Sequence, residues 1–128
     1  MKKEYRICKN YEFSSIIHKQ NFVKSSSFVC YIESKKEEHN RIGISVSKKL
    51  GNAVCRNKIK RQVRSMVDQV FDFKEDIDVV IIVRPVYLKK SFDENLNELK
   101  ENREKCMRKG KEKRGKRWKN FYKTRQKF

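Results

Sequence analysis

Residues 77–83 read Ile-Asp-Val-Val-Ile-Ile-Val. In an extended chain that run is apolar on both faces, which marks a central strand covered on both sides and excludes a sheet edge. Arg84-Pro85 ends it, since proline offers no donor to a ladder. A chain built around such a strand must supply it with neighbours and with cover on two faces. Two alternating segments supply neighbours. Ser27 to Glu33 places Phe28, Cys30 and Ile32 on one face and Val29 and Tyr31 on the other. Arg41 to Ser47 places Ile42, Ile44 and Val46 on one face and only Gly43, Ser45 and Ser47 on the other, which leaves room for a close neighbour.

Helical spacing supplies the cover. Phe13, Ile16 and Ile17 form a short stripe over Asn10 to Lys19, with Asn10 as the expected N-cap. Ile59, Val63, Met66, Val67 and Val70 form a longer one over about Asn52 to Val70. Phe92, Leu96, Leu99 and Cys106 form a third between Ser91 and Cys106, with Ser91 as N-cap and Glu94 completing a capping box. The third helix is expected on the sheet face opposite the second. The order gives an α+β fold, a single-sheet α/β sandwich with an α-β-β-α-β-α core, and the strands flanking the second helix should be parallel. A chain of 128 residues suits one such core. The expected division is a globular domain over 1–106 and a basic tail over 107–128.

The charge is not spread evenly. There are 34 Lys and Arg against 16 Asp and Glu, a net +18. Residues 107–128 hold +10 of this and Lys48 to Arg64 hold +7 with no acid, so the remainder is nearly neutral. A polyanion is the natural partner. The longest apolar run, Val79 to Val83, falls far short of the ~18 to 20 residues of a membrane span. Glu4, Arg6 and Lys9 stand where a signal peptide would be apolar, so a cytoplasmic protein is expected. The cysteines at 8, 30, 55 and 106 and the histidines at 18 and 39 follow no metal or triad spacing; free, largely buried thiols are the expectation.

At about 100° per residue, Asn57, Lys60, Arg61 and Arg64 share the arc opposite the apolar stripe of the second helix, with Arg56 and Lys58 at its margins. Like charges at 56, 60 and 64 forgo the ~0.2 to 0.5 kcal/mol that mixed i,i+4 pairs give a merely solvated face. Ahead of the helix, Gly51 permits a tight turn and Asn52 can cap. Lys48 and Lys49 join the helix N-terminal amides in an anion-binding corner. Arg56 and Arg61 can fork across phosphate oxygens, whereas Lys58 supplies charge without the fork. Beyond Cys106 no period survives, and the tail is expected to be disordered when free. Its Trp118, Phe121 and Tyr122 suit base stacking, but a solubilising tail with incidental aromatics accounts for them equally.

The stretch from Ser45 to Arg61, Ser-Val-Ser-Lys-Lys-Leu-Gly-Asn-Ala-Val-Cys-Arg-Asn-Lys-Ile-Lys-Arg, resembles the signature of the bacterial ribonuclease P protein subunit, and the resemblance covers about residues 6 to 106. Lys58 departs from it, as an arginine is usual there, and the C-terminal extension lies outside it. The resemblance implies a ribosomal-protein-S5-domain-2-like fold with a left-handed crossover between the parallel strands, against the usual preference. It implies the small subunit of a ribonucleoprotein endonuclease that removes the 5′ leader from precursor tRNA, with Mg²⁺ bound chiefly by the RNA subunit and the chemistry carried there. The partners are then the RNA subunit and precursor tRNA, with no membrane and no further protein partner.

By the same resemblance the RNA-binding set is Lys48, Lys49, Gly51, Asn52, Arg56, Asn57, Lys58, Lys60, Arg61 and Arg64. A leader cleft falls on Phe13, Tyr31 and Ile17, the last standing where an aromatic is common; Ser45 and Ser47 could line the same sheet face. Phe13 also belongs to the first helix's apolar stripe, and both roles stay open. No catalytic or metal-binding residue is expected in the protein. Metal-assisted hydrolysis needs convergent carboxylates, and the acids lie mostly at Glu37-Glu38, between Asp72 and Asp78, and in the third helix. The competing reading is a structural RNA-binding protein, such as a ribosomal protein of similar fold, with the same basic helix and no leader cleft; a basic module for membrane or DNA is a third.

Overall fold

The computed structural model describes residues 5–7, 9–35, 39–72 and 77–126, from 110 onward as backbone alone. Cys8, the Glu37-Glu38 turn and residues 73–76 lie outside the described residues. The elements are α1 (Asn10–His18), β1 (Phe22–Lys24), β2 (Phe28–Ser34), β3 (Ile42–Val46), α2 (Ala53–Val70), β4 (Ile77–Val83) and α3 (Phe92–Gln126). Short 3-10 turns at Lys48–Leu50 and Pro85–Lys89 follow β3 and β4.

The four strands form one sheet in the order β1-β2-β4-β3. β4 lies inside it, antiparallel to β2 and parallel to β3, with Val80 opposite both Tyr31 and Gly43. Its two apolar faces are thereby explained. Val79, Ile81 and Val83 enter the main core with Phe28, Cys30, Ile32, Ile42 and Val46, under Ile59, Val63, Met66 and Val67 of α2. Val80 and Ile82 turn to the other face and meet Ile7, Phe13, Ile16 and Ile17.

That division corrects one expectation. α3 packs beside α2, with Leu99 and Cys106 in the same core, and α1 takes the opposite face. On the α1 face the apolar surface is narrower, because β3 contributes only Gly43 and Ser45 beside Val80 and Ile82. Polar side chains fix the position of α3. Ser27 Oγ donates to Asn95 Oδ1 (2.8 Å), the Ser27 amide donates to Glu98 (2.7 Å), and Asn102 Nδ2 donates to Ser25 Oγ (2.8 Å). Ser27, Asn95 and Asn102 are all buried, so these bonds satisfy groups that would otherwise be costly.

Other differences are local. β1 has three residues, too few for alternation to show in the sequence. Lys9, and not Asn10, is the N-cap of α1: its carbonyl accepts from the Glu12 and Phe13 amides at 3.1 and 3.3 Å. Ser91 caps α3 as expected, accepting from the Glu94 amide at 3.2 Å. The backbone of α3 is helical through most of the segment expected to be a disordered tail, and the Lys and Arg that dominate this stretch are good helix formers. Contacts with the body also run past 106, since Met107 packs on the core and Lys109 Nζ donates to the Phe22 carbonyl at 2.6 Å. Cys30 and Cys106 are buried and free, and their mutual hydrogen bond, with burial, pushes the Cys30 thiol well above its ordinary value. Cys55 is exposed, against the expectation of buried thiols.

Candidate nucleic-acid interface

The basic corner is built by a turn that only a few residue types allow. Leu50 is buried and anchors the 3-10 turn, leaving Lys48 and Lys49 exposed. Gly51 then takes φ 135°, a conformation that L side chains rarely adopt. Asn52 follows as the N-cap of α2, its Oδ1 accepting from the Cys55 amide at 3.0 Å. No acid occupies the first turn, so the amide end of the helix keeps its positive character.

Along α2 the cations divide between two surroundings. Asn57, Lys58 and Arg61 are exposed, and Arg56 is half-buried. Lys60 and Arg64 turn toward α1 and line a cleft of about 550 Å³. α1 supplies Asn10, Phe13, Ser14 and Ile17 to this cleft, β3 supplies Ile44 and Ser45, and Arg6 closes one side. Cations, short polar groups and apolar side chains thus line one groove. That mixture suits an unpaired nucleotide strand, whose phosphates want charge and whose bases want apolar cover.

Of the expected cleft residues, Phe13, Ile17 and Ser45 are brought together here. Tyr31 shares the sheet face but stands apart, its ring 5.3 Å from that of Phe22. Ser47 is exposed at the start of the 3-10 turn, away from the cleft lining. Phe13 fills both roles left open for it: it packs on the sheet and lines the cleft. Its ring lies so close to Gly43 that a Cβ there would be 2.7 Å from Cζ. Sequence reasoning missed Asn10, Ser14 and Arg6. The first two share a helix face with Ile17 at i, i+4 and i+7, a signal that was present; Arg6 arrives only through its bridge to Ile42.

Carboxylates are held elsewhere. Asp78 is fully buried on β4 and accepts from the Arg41 amide at 2.8 Å, while the Arg41 guanidinium meets Glu12 at 2.6 Å and Asp78 at 3.4 Å. Burial pushes the Asp78 carboxyl up, and the hydrogen bonds and charge of Arg41 work against that. Glu33 pairs with Lys19, and Glu98 with Lys90. Among the described residues no three His, Cys, Asp or Glu side chains lie together in a way that could hold a metal ion. Nor, among them, is any helix long and apolar enough to cross a membrane.

A single mixed sheet with a helix and preceding turn that carry seven cations and no acid between Lys48 and Arg64, beside a half-polar cleft, defines the class of protein suited to a polyanion. The sequence profile described as Ribonuclease P matches residues 1–107. The ribonuclease P protein component of Mesoplasma florum is 50% identical over 101 residues, covering 77% of this chain and 92% of its own. That of Enterococcus faecalis is 42% identical over 96 residues, covering 73% and 81%. The solved structure of a Staphylococcus aureus RNase P protein mutant superposes with a TM-score of 0.70 at 38% identity, over 85% of this chain and 90% of that one. The chain belongs to the ribonuclease P protein family. It is a protein component of ribonuclease P, the ribonucleoprotein endoribonuclease of tRNA 5′ maturation.

Proposed function

We propose that the corner and outer face of α2 hold the ribonuclease P RNA, and that the cleft between α1, β3 and α2 takes the 5′ leader of precursor tRNA. The observation that carries the division is the split of the basic helix: Arg56, Asn57, Lys58 and Arg61 lie outside the cleft lining, while Lys60 and Arg64 line the cleft with Phe13, Ile17 and Ser45. Lys48, Lys49, Gly51 and Asn52 extend the RNA surface around the helix N-terminus. Tyr31 and Ser47 flank the leader path. Mg²⁺ belongs to the RNA in this reading: the buried acids Asp78 and Glu33 are engaged by Arg41 and Lys19, and among the described residues no donor set converges beside the cations. The protein's part is to neutralise phosphates so that the RNA holds its ions and its compact form at lower Mg²⁺. The unpaired thiols Cys30 and Cys106 fit a reducing, cytoplasmic setting.

The test is cleavage of precursor tRNA by the RNA subunit at low Mg²⁺, with and without the protein. Cleavage should rise on addition, and affinity for leader-bearing substrate should rise more than affinity for tRNA without a leader. Unchanged cleavage would refute the reading as a whole; equal gains on both substrates would refute the leader cleft.

A further inference from the structure

α1 is one wall of the cleft, a helix of nine residues that packs on the body through Phe13, Ile16 and Ile17, against Ile7, Tyr31, Val80 and Ile82. Apolar contact of that kind is non-directional and leaves rotation and sliding of a short helix weakly defined. The α1-facing row of β3, with Arg41 just ahead of the strand, supplies the direction. Arg41, Gly43 and Ser45 alternate along one strand face, and α1 lies over them with Glu12 and Phe13. Arg41 is anchored twice on Asp78, through its amide at 2.8 Å and its guanidinium at 3.4 Å, and Asp78 is fully buried on the central strand. From that anchor the same Nη2 reaches Glu12 Oε2 at 2.6 Å. Two residues on, the bare Cα of Gly43 seats the Phe13 ring.

We propose that Arg41 is a positioning residue for the leader cleft. Gripping Glu12 from its anchor on Asp78, it sets the rotation of α1 and holds Phe13, Ser14 and Ile17 opposite Lys60 and Arg64. An ion pair this buried is weak as a source of stability, because desolvation offsets most of its attraction; what it supplies is a defined position. None of the three charged groups lines the cleft, so each acts through the placement of α1. The inference rests on the cleft being the leader site.

Glu12→Ala tests it more cleanly than any change at Arg41, since it frees α1 and leaves Asp78 paired. In the reconstituted holoenzyme, the ratio of affinities for leader-bearing and leaderless tRNA should fall by about fivefold or more, as misplacement of a binding wall costs. Assembly with the RNA and affinity for leaderless tRNA should stay within about twofold, because neither uses α1. Glu12→Gln, which keeps an acceptor, should lie between. Arg41→Met should add little in the Glu12→Ala background, where its link to α1 is already cut. An unchanged ratio in Glu12→Ala overturns the proposal, and so does a parallel fall in all three measurements. If the unaltered protein already shows no preference for the leader, the leader reading itself fails, before any variant is needed.

Discussion

Gly43 and Gly51 both exclude a side chain, for different reasons. At Gly43 the obstacle is the Phe13 ring, and Gly43→Ala is expected to cost about 1–3 kcal/mol in a urea melt, the usual range for overpacking, together with part of the leader preference. At Gly51 the obstacle is the backbone, whose φ of 135° makes Gly51→Ala strained whatever the space. That change should cost about 1–3 kcal/mol and disturb assembly with the RNA. Asn52→Ala removes the cap and should cost about 1 kcal/mol, read in the same melts. Gly51 and Asn52 were legible because their reasons are local: a turn and a cap written within a few residues. The reason for Gly43 was only half legible. Its strand face announced room for a neighbour, but the identity of that neighbour depended on which helix covers which face. Asp78 was harder still, since an acid inside an apolar run carries no mark of a partner 37 residues away.

Among the elements, α2 followed its sequence pattern most closely, as a long helix with one apolar and one basic arc should. Arg56→Ala and Arg61→Ala are expected to weaken assembly with the RNA, measured by titration at fixed salt. If the helix and corner neutralise about six phosphates, log K should fall against log salt with a slope of roughly −4 to −5. Within the cleft, Phe13→Ala should reduce leader preference more than Tyr31→Ala does, because Tyr31 is set back against Phe22. α3 was read correctly as a helix and placed on the wrong face. Its apolar stripe specified burial but not which side of the sheet, whereas the discriminating residues, Asn95, Glu98 and Asn102, are polar and gain meaning only when they meet Ser25 and Ser27. β1 escaped notice because a three-residue strand is defined by its partner β2, not by its own pattern.

For the molecule as a whole, acid should loosen the seat of α3. Burial raises Glu98, but hydrogen bonds from Ser25, the Ser27 amide, Lys90 and Ser26 outweigh it and hold the carboxyl down to about 2, below the ordinary 4.5. A depressed carboxylate stabilises the fold fully above its unfolded value and loses that contribution as pH falls through the folded one. Stability should therefore decline between pH 4.5 and about 2, and Glu98→Gln should flatten that limb in urea melts across the range. Deleting 110–128 removes nine cations and one acid while sparing Met107 and Lys109. The fold should survive in thermal melts, and RNA assembly should weaken more at low salt than at high salt.

Parallel pairing has a consequence at this same scale. Because β3 and β4 run in one direction, both of their 3-10 turns emerge at one end of the sheet and touch, so that Lys48 and Lys49 stand on one turn and Lys89 on its neighbour, although some forty residues separate them. At the other end, where β4 begins, Glu12, Glu33 and Asp78 are offset by Arg41 and Lys19. The two ends of the strands thus differ in kind: cations from two neighbouring turns gather at one, and acids matched by cations mix at the other. In the field of a large RNA such a particle feels a torque before it feels a contact, so it arrives with its cationic pole leading, and fewer encounters are wasted on the wrong side.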